Sequence, residues 1–138
     1  RTRGIEGDRH ARQLLAEACV GSMVGAALVE RITGGMAAGV LPGSAGSLMK
    51  LYGAENVIRR AEIGLELAGE DAVAWPAGTE TVGGHLGQHS LGRQGAALGG
   101  GSNEIQRNII SERLLGMPRE AAADRDIAYR DVRRSRGR

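Results

Sequence analysis

The sequence predicts an all-α protein, and three observations carry the prediction. No segment alternates apolar and polar residues with the period of two that a half-buried strand needs. Several stretches instead return an apolar residue every three or four positions, the spacing of one helix face. The breaks between them are written in Gly and Pro, as in Gly39-Val-Leu-Pro-Gly-Ser-Ala-Gly46, where those residues punctuate a loop at turn spacing.

The first 8 residues are polar and read as a lead-in. A helix is expected from about Arg9 to Met36, with Arg12, Gln13, Glu17, Glu30 and Arg31 towards its ends. Its middle, Ala18 to Val29, carries no charge and is expected to be buried on most sides. Gly21 and Gly25 stand four apart, which allows a close neighbour but in so glycine-rich a chain is also chance spacing. After the Gly39–Gly46 loop comes the strongest helix, Ser47 to Ala68. Leu51, Ala54, Ile58, Ala61, Leu65 and Ala68 form one narrow stripe on it, and the alanines call for close packing. Gly69 sits in the C-cap position.

Glu70 to Gly84 reads as loop, including Trp75-Pro76. His85 to Leu98 reads as a weak helix, because Gly87, Gly92 and Gly95 each cost about 1 kcal/mol relative to Ala. A sounder helix is expected from Asn103 to Leu115, stopped by Gly116 and Pro118. The residues from Arg119 on are charged and read as an extended tail with an arginine cluster (Arg130, Arg133, Arg134, Arg136, Arg138).

Bulk composition narrows the function classes. With 138 residues, 41% hydrophobic and 25% charged, the chain has room for one folded domain. The single thiol, Cys19, excludes an internal disulfide, makes a reducing cytoplasm the default and reads as an inert core residue. The N-terminus lacks the apolar stretch of a secretory signal. The uncharged run Ile32–Met49 is broken by Gly34, Gly35, Gly39, Pro42, Gly43 and Gly46, so no membrane span is expected there. The net charge is only +2, and every basic residue except Lys50 is arginine. That is a compositional bias and says little about partners. Glycine, at 23 residues, is far above the usual ~7%.

Gly99-Gly100-Gly101-Ser102-Asn103-Glu104 is the best chemical feature. Glycines let a backbone approach a ligand, Ser102 or Asn103 can cap the helix, and its free N–H groups favour an anion such as phosphate. An ordinary capped helix after a flexible turn is the plainer reading of the same residues. The pattern is neither a P-loop nor a dinucleotide fingerprint, since no Gly-Lys-Ser/Thr is present and no strand precedes it. His85 and His89 would share a helix face, but no third ligand is near in sequence, so no metal site is expected.

From Gly100-Gly-Ser-Asn-Glu-Ile-Gln-Arg-Asn-Ile-Ile-Ser-Glu-Arg-Leu-Leu-Gly-Met-Pro-Arg-Glu120 the chain closely resembles the C-terminal signature of acyl-CoA dehydrogenases. With the two preceding long helices in the same order, the resemblance covers about residues 9–120. It implies the family's C-terminal up-down four-helix bundle, here a partial one over 9–118, with its first helix lying before Arg1 and a charged tail at 119–138. It implies an FAD enzyme of fatty acid or lipid metabolism that dehydrogenates acyl-CoA thioesters and passes electrons to an electron-transfer flavoprotein. Oligomeric assembly follows from the same resemblance, the cytoplasmic location from the single thiol and the missing signal; neither nucleic-acid nor membrane partners are expected.

The resemblance also maps site residues. Gly101, Ser102, Asn103 and Glu104 match the turn and helix start that hold FAD. Glu66 and Gly69 match a Gln-x-x-Gly-Gly-x-Gly stretch that contacts FAD across a dimer, with Glu replacing Gln and one of three glycines kept. Many members carry the catalytic base where this chain has Gly100, so no catalytic residue is assigned and the chain alone is expected to be inactive. A non-catalytic partner subunit of a hetero-oligomeric dehydrogenase and a small basic nucleic-acid-binding module are the alternatives. The absence of an initiator Met before Arg1 fits a piece of a longer protein.

Overall fold

A computed structural model describes residues 7–74, 81–119 and 127–132. The expectations for Trp75-Pro76, and for Arg133, Arg134, Arg136 and Arg138, fall outside the described residues.

Helix α1 runs Arg9–Ala37. The Asp8 carboxylate caps it, accepting from the N–H groups of His10 at 2.9 Å and Ala11 at 3.2 Å. Gly39 turns left-handed at φ 69°, and the N–H groups of Val40 and Leu41 donate back to the Gly35 carbonyl. A short 3₁₀ turn, Gly43–Ala45, leads into α2, Gly46–Ala68. Gly69, at φ 59° and ψ −130°, ends α2 as its sequence position foretold.

A second 3₁₀ turn covers Gly69–Ala72. Helix α3 then spans Val82–Leu98, three residues earlier and firmer than its glycines suggest. The reason is a cap that lay in the expected loop: Thr81 Oγ1 accepts from Gly84 N at 3.0 Å. Helix α4, Asn103–Ile109, continues as one π turn, Ile110–Leu114, rather than as the single α-helix expected. In the tail, residues 129–131 form a 3₁₀ turn where an extended chain was expected. No strand is present among the described residues.

Helix α2 is the centre, packing against α1, α3 and α4. It meets α1 in an antiparallel seam. His10 pairs with Glu66 and Glu17 with Arg59, so seven residues up α1 correspond to seven back along α2. Further along, Gly21 faces Asn56 and Gly25 faces the Tyr52 ring, while Tyr52 Oη donates to Gly21 O at 2.8 Å. The two glycines thus admit side chains of α2 rather than its backbone. The buried apolar set is Ala11, Leu14, Ile32, Ala45, Ala54, Ala61, Ile63 and Ala72. Its alanines let the helices lie close, as the α2 stripe implied.

One expectation is reversed. The uncharged middle of α1 is mostly exposed, with Val20 at 58% and Met23 at 66%, and Cys19 is exposed rather than in a core. One face of α1 meets α2, Leu41 packs against its last turn at Gly35, and among the described residues its middle is otherwise left open. Helix α1 is long and apolar enough to cross a membrane by length and composition. Its charge-free stretch, residues 18–29, spans only about 18 Å of a ~30 Å hydrocarbon layer.

Candidate cofactor site

The α3–α4 turn is built by backbone first. Gly99 N donates to Gly95 O at 2.8 Å and closes α3. Gly100 and Gly101 then take φ of 70° and 97°, a region open to glycine and strained for other residues. A methyl group at Gly101 would stand 2.8 Å from Gln106 Nε2. That amide donates to Gly100 O at 3.1 Å and braces the turn from the next helix. Ser102 is the N-cap of α4, its Oγ accepting from Ile105 N at 3.4 Å.

Asn103 is 8% exposed, and its Oδ1 is buried without a hydrogen-bond partner. A buried acceptor of this kind is costly unless something donates to it. Glu104 is exposed and its carboxyl is held below the usual range, first by a backbone hydrogen bond and then by the Ser102 hydroxyl and Arg107. The carboxylate therefore already occupies part of the helix start, where an anion would also sit.

Helix α2 positions this turn from behind. Lys50 Nζ donates to Ala96 O at 2.6 Å, fixing the last turn of α3, and its Cε would lie 3.6 Å from a methyl at Gly100. Arg107 pairs with Glu55 and ties α4 to α2. Gly101, Ser102, Asn103 and Glu104 thus come together at one end of α2. Glu66 and Gly69 lie at the other, Glu66 sixteen residues from Lys50 and so about 24 Å away along the helix. One chain does not join the two groups.

At the far end Glu66 is engaged. Its Oε1 lies 2.6 Å from His10 Nε2. The imidazole is held above its usual range by the hydrogen bond to Glu66 first and by the charges of Glu66 and Asp8, against a desolvation that lowers it. Sequence reasoning missed Gln106, Lys50 and His10 as supporting groups. No signal in the sequence singled out Gln106; the matched seven-residue spacing of His10/Glu17 and Arg59/Glu66 was a weak one for His10. His85 and His89 are exposed, and no group of metal-ligating residues occurs among the described residues.

Residues 2–115 match the sequence model described as acyl-CoA dehydrogenase, C-terminal domain. The acyl-CoA dehydrogenase IpdE1 of Mycobacterium tuberculosis is 86% identical over 22 residues, 16% of this chain and 6% of that protein. The acyl-CoA dehydrogenase IpdE1 of Mycolicibacterium smegmatis is 86% identical over 21 residues, 15% of this chain and 5% of that protein. The chain therefore spans only a small part of the curated relatives it matches. No solved structure matches. On the family match over most of its length, the chain belongs to the acyl-CoA dehydrogenase C-terminal domain family.

Proposed function

We propose that this chain works as the C-terminal portion of an acyl-CoA dehydrogenase-like flavoprotein, giving the assembled enzyme part of its FAD site and part of its subunit interface. The observation that carries the reading is the buried, unpartnered Asn103 Oδ1 beside a left-handed glycine turn. Such an acceptor suits a hydroxyl or N–H of the dinucleotide, and the turn leaves room for a backbone approach. FAD, when bound, supplies the hydride acceptor for dehydrogenation of an acyl-CoA thioester, and an electron-transfer flavoprotein takes the electrons onward. Ser102 and Asn103 orient the cofactor, Gln106 keeps the turn open, and Gly100 brings no proton-abstracting group.

Flavin fluorescence tests this. The purified chain, in the oligomer it forms, should bind FAD, and Asn103→Leu should weaken that binding about tenfold through loss of one buried polar contact. FAD binding that Asn103→Leu leaves unchanged would overturn the role given to the turn. The chain alone should not reduce an electron acceptor with any acyl-CoA; turnover would overturn the absence of a base. The exposed apolar face of α1, including Leu15, Val20, Met23, Val24 and Val29, supports assembly. A monodisperse monomer in light scattering would count against it.

A second reading has its own support. Gly100 carries no acid, and Glu66, Glu70 and Asp71 cluster where the family contacts FAD across a dimer. A non-catalytic subunit paired with a different, complete dehydrogenase would have both features. Co-purification with such a partner favours it; a chain that assembles only with itself excludes it.

A further inference from the structure

Helix α1 has two unlike faces. Ala11, Leu14, Gly21, Gly25 and Ile32 lie along the seam with α2, buried or half-buried. Half a turn round, Arg12, Ala16, Cys19, Met23, Ala27 and Glu30 recur at steps of three or four and are all exposed. This outer stripe is small or apolar through its middle, cationic at one end and acidic at the other. Arg12 and Arg9 border a depression lined also by Gly7, Gln13 and Ala16. Among the described residues none of Arg9, Arg12 and Glu30 has an ion-pair partner.

The stripe is complementary to its own reverse. A second copy of α1 laid antiparallel along it sets Arg12 level with Glu30, Ala16 with Ala27 and Cys19 with Met23. Two-fold symmetry makes each match twice. Small residues then meet small ones, the long Met side chain falls against the short Cys, and the charges are opposite at both ends. On the flank Val20 falls level with Val24, and Arg31 with the uncharged Gln13, so no like charges are set together. A parallel pairing does the reverse, placing Arg12 on Arg12 and Glu30 on Glu30, which like-charge repulsion opposes.

We propose that the outer stripe of α1 is a self-association surface whose occupant is α1 of a second copy of this chain, antiparallel, in the register that pairs Arg12 with Glu30. This names the partner for the assembly part of the function proposed above, on which it rests, and is independent of the FAD part. The apolar middle supplies the affinity, because pairing removes the exposed Val20 and Met23 from water. The terminal charges are worth little by themselves and instead select direction and register.

The test is sedimentation equilibrium of the full chain across a wide concentration range, with charge-swapped variants. Wild type should dimerise. Arg12→Glu and Glu30→Arg should each weaken the dimer about tenfold, since each sets two like-charge pairs together. The two single variants mixed should form a heterodimer, and the double variant should regain wild-type affinity. Met23→Glu should leave a monomer with an unchanged far-UV circular dichroism spectrum, because Met23 is mostly exposed within its own chain. Single variants that weaken the dimer with no recovery in the mixture or the double variant overturn the register and with it the proposal. A dimer that none of these substitutions affects uses another face, which overturns this proposal and keeps the assembly reading. A wild-type monomer at every concentration overturns both, and leaves the stripe to the helix that the resemblance places before Arg1.

Discussion

The seam between α1 and α2 and the contact of α3 with the turn after α2 are packed by different means. Towards α1 the close approaches are made by side chains: a methyl at Gly21 would meet Asn56 Oδ1 at 2.6 Å, and one at Gly25 would meet the Tyr52 ring at 3.3 Å. Towards α3, a methyl at Gly64 of α2 would again meet a side chain, Leu86 Cδ2 at 3.0 Å, but the turn that follows α2 meets α3 through backbone. A methyl at Gly83 would lie 2.2 Å from the Asp71 carbonyl oxygen and 2.5 Å from its carbon. The end of an asparagine can swing aside, whereas a carbonyl in a 3₁₀ turn cannot move without its neighbours. The α1 side is therefore an adjustable joint, held by surface ion pairs and one tyrosine hydroxyl. The contact between the start of α3 and the Gly69–Ala72 turn is a fixed one.

Substitution at Gly83 tests that contrast most severely. Gly83→Ala should destabilise the fold by about 1–3 kcal/mol in a urea titration, as overpacking against an immovable partner does. Gly21→Ala should cost much less, since Asn56 can rotate. Equal losses would erase the distinction between the two joints.

Next in size is a change of sign within α3. Gly92 and Gly95 have nothing within 4 Å of an added methyl and need no left-handed backbone. Gly92→Ala should raise stability by about 1 kcal/mol from helix propensity alone. A loss there would mean that this exposed face meets something in solution.

On the α1 side, Tyr52→Phe removes the hydrogen bond to Gly21 O while keeping the ring over Gly25. A loss of about 0.5–1.5 kcal/mol is expected.

The smallest effect is that of pH on the same joint. Glu17 is held below its usual 4.5, first by the hydrogen bond from Arg59, with desolvation opposing and the charge of Arg59 adding to it. Its stabilisation is present above 4.5 and is lost as pH falls through the folded-state value. The His10 contribution is complete below 6.5 and lost as pH rises through its own raised value. The joint should be tightest between those limits, with Glu17→Gln flattening the acid limb of a thermal-midpoint profile. Both pairs are exposed, so the whole curve should be shallow.

Particular residues show where legibility ended. Gly69 was readable as a C-cap, and the N-cap as Ser102 or Asn103, because each acts on backbone groups within four residues. The existence of α1, α2 and α4, and the all-α class, follow from the same short-range logic. Thr81 was equally local and was overlooked because the glycines after it lowered the expectation of a helix. The exposure of Cys19 and Met23 was not readable. An uncharged stretch says that a surface prefers cover, not which element supplies it.

The sequence alone determined the all-α class, the existence of the helices, the C-cap at Gly69, the glycine turn and the family, since periodicity, capping and motif all act between near neighbours. Only tertiary structure decided that Gln106 braces Gly100, that Asn103 Oδ1 is left without a partner, that Gly83 meets the Asp71 backbone and that His10 meets Glu66. Each of these depends on residues brought together by the antiparallel return of the chain or the reversal at a turn. That pairing depends on the register between elements, which no local pattern encodes.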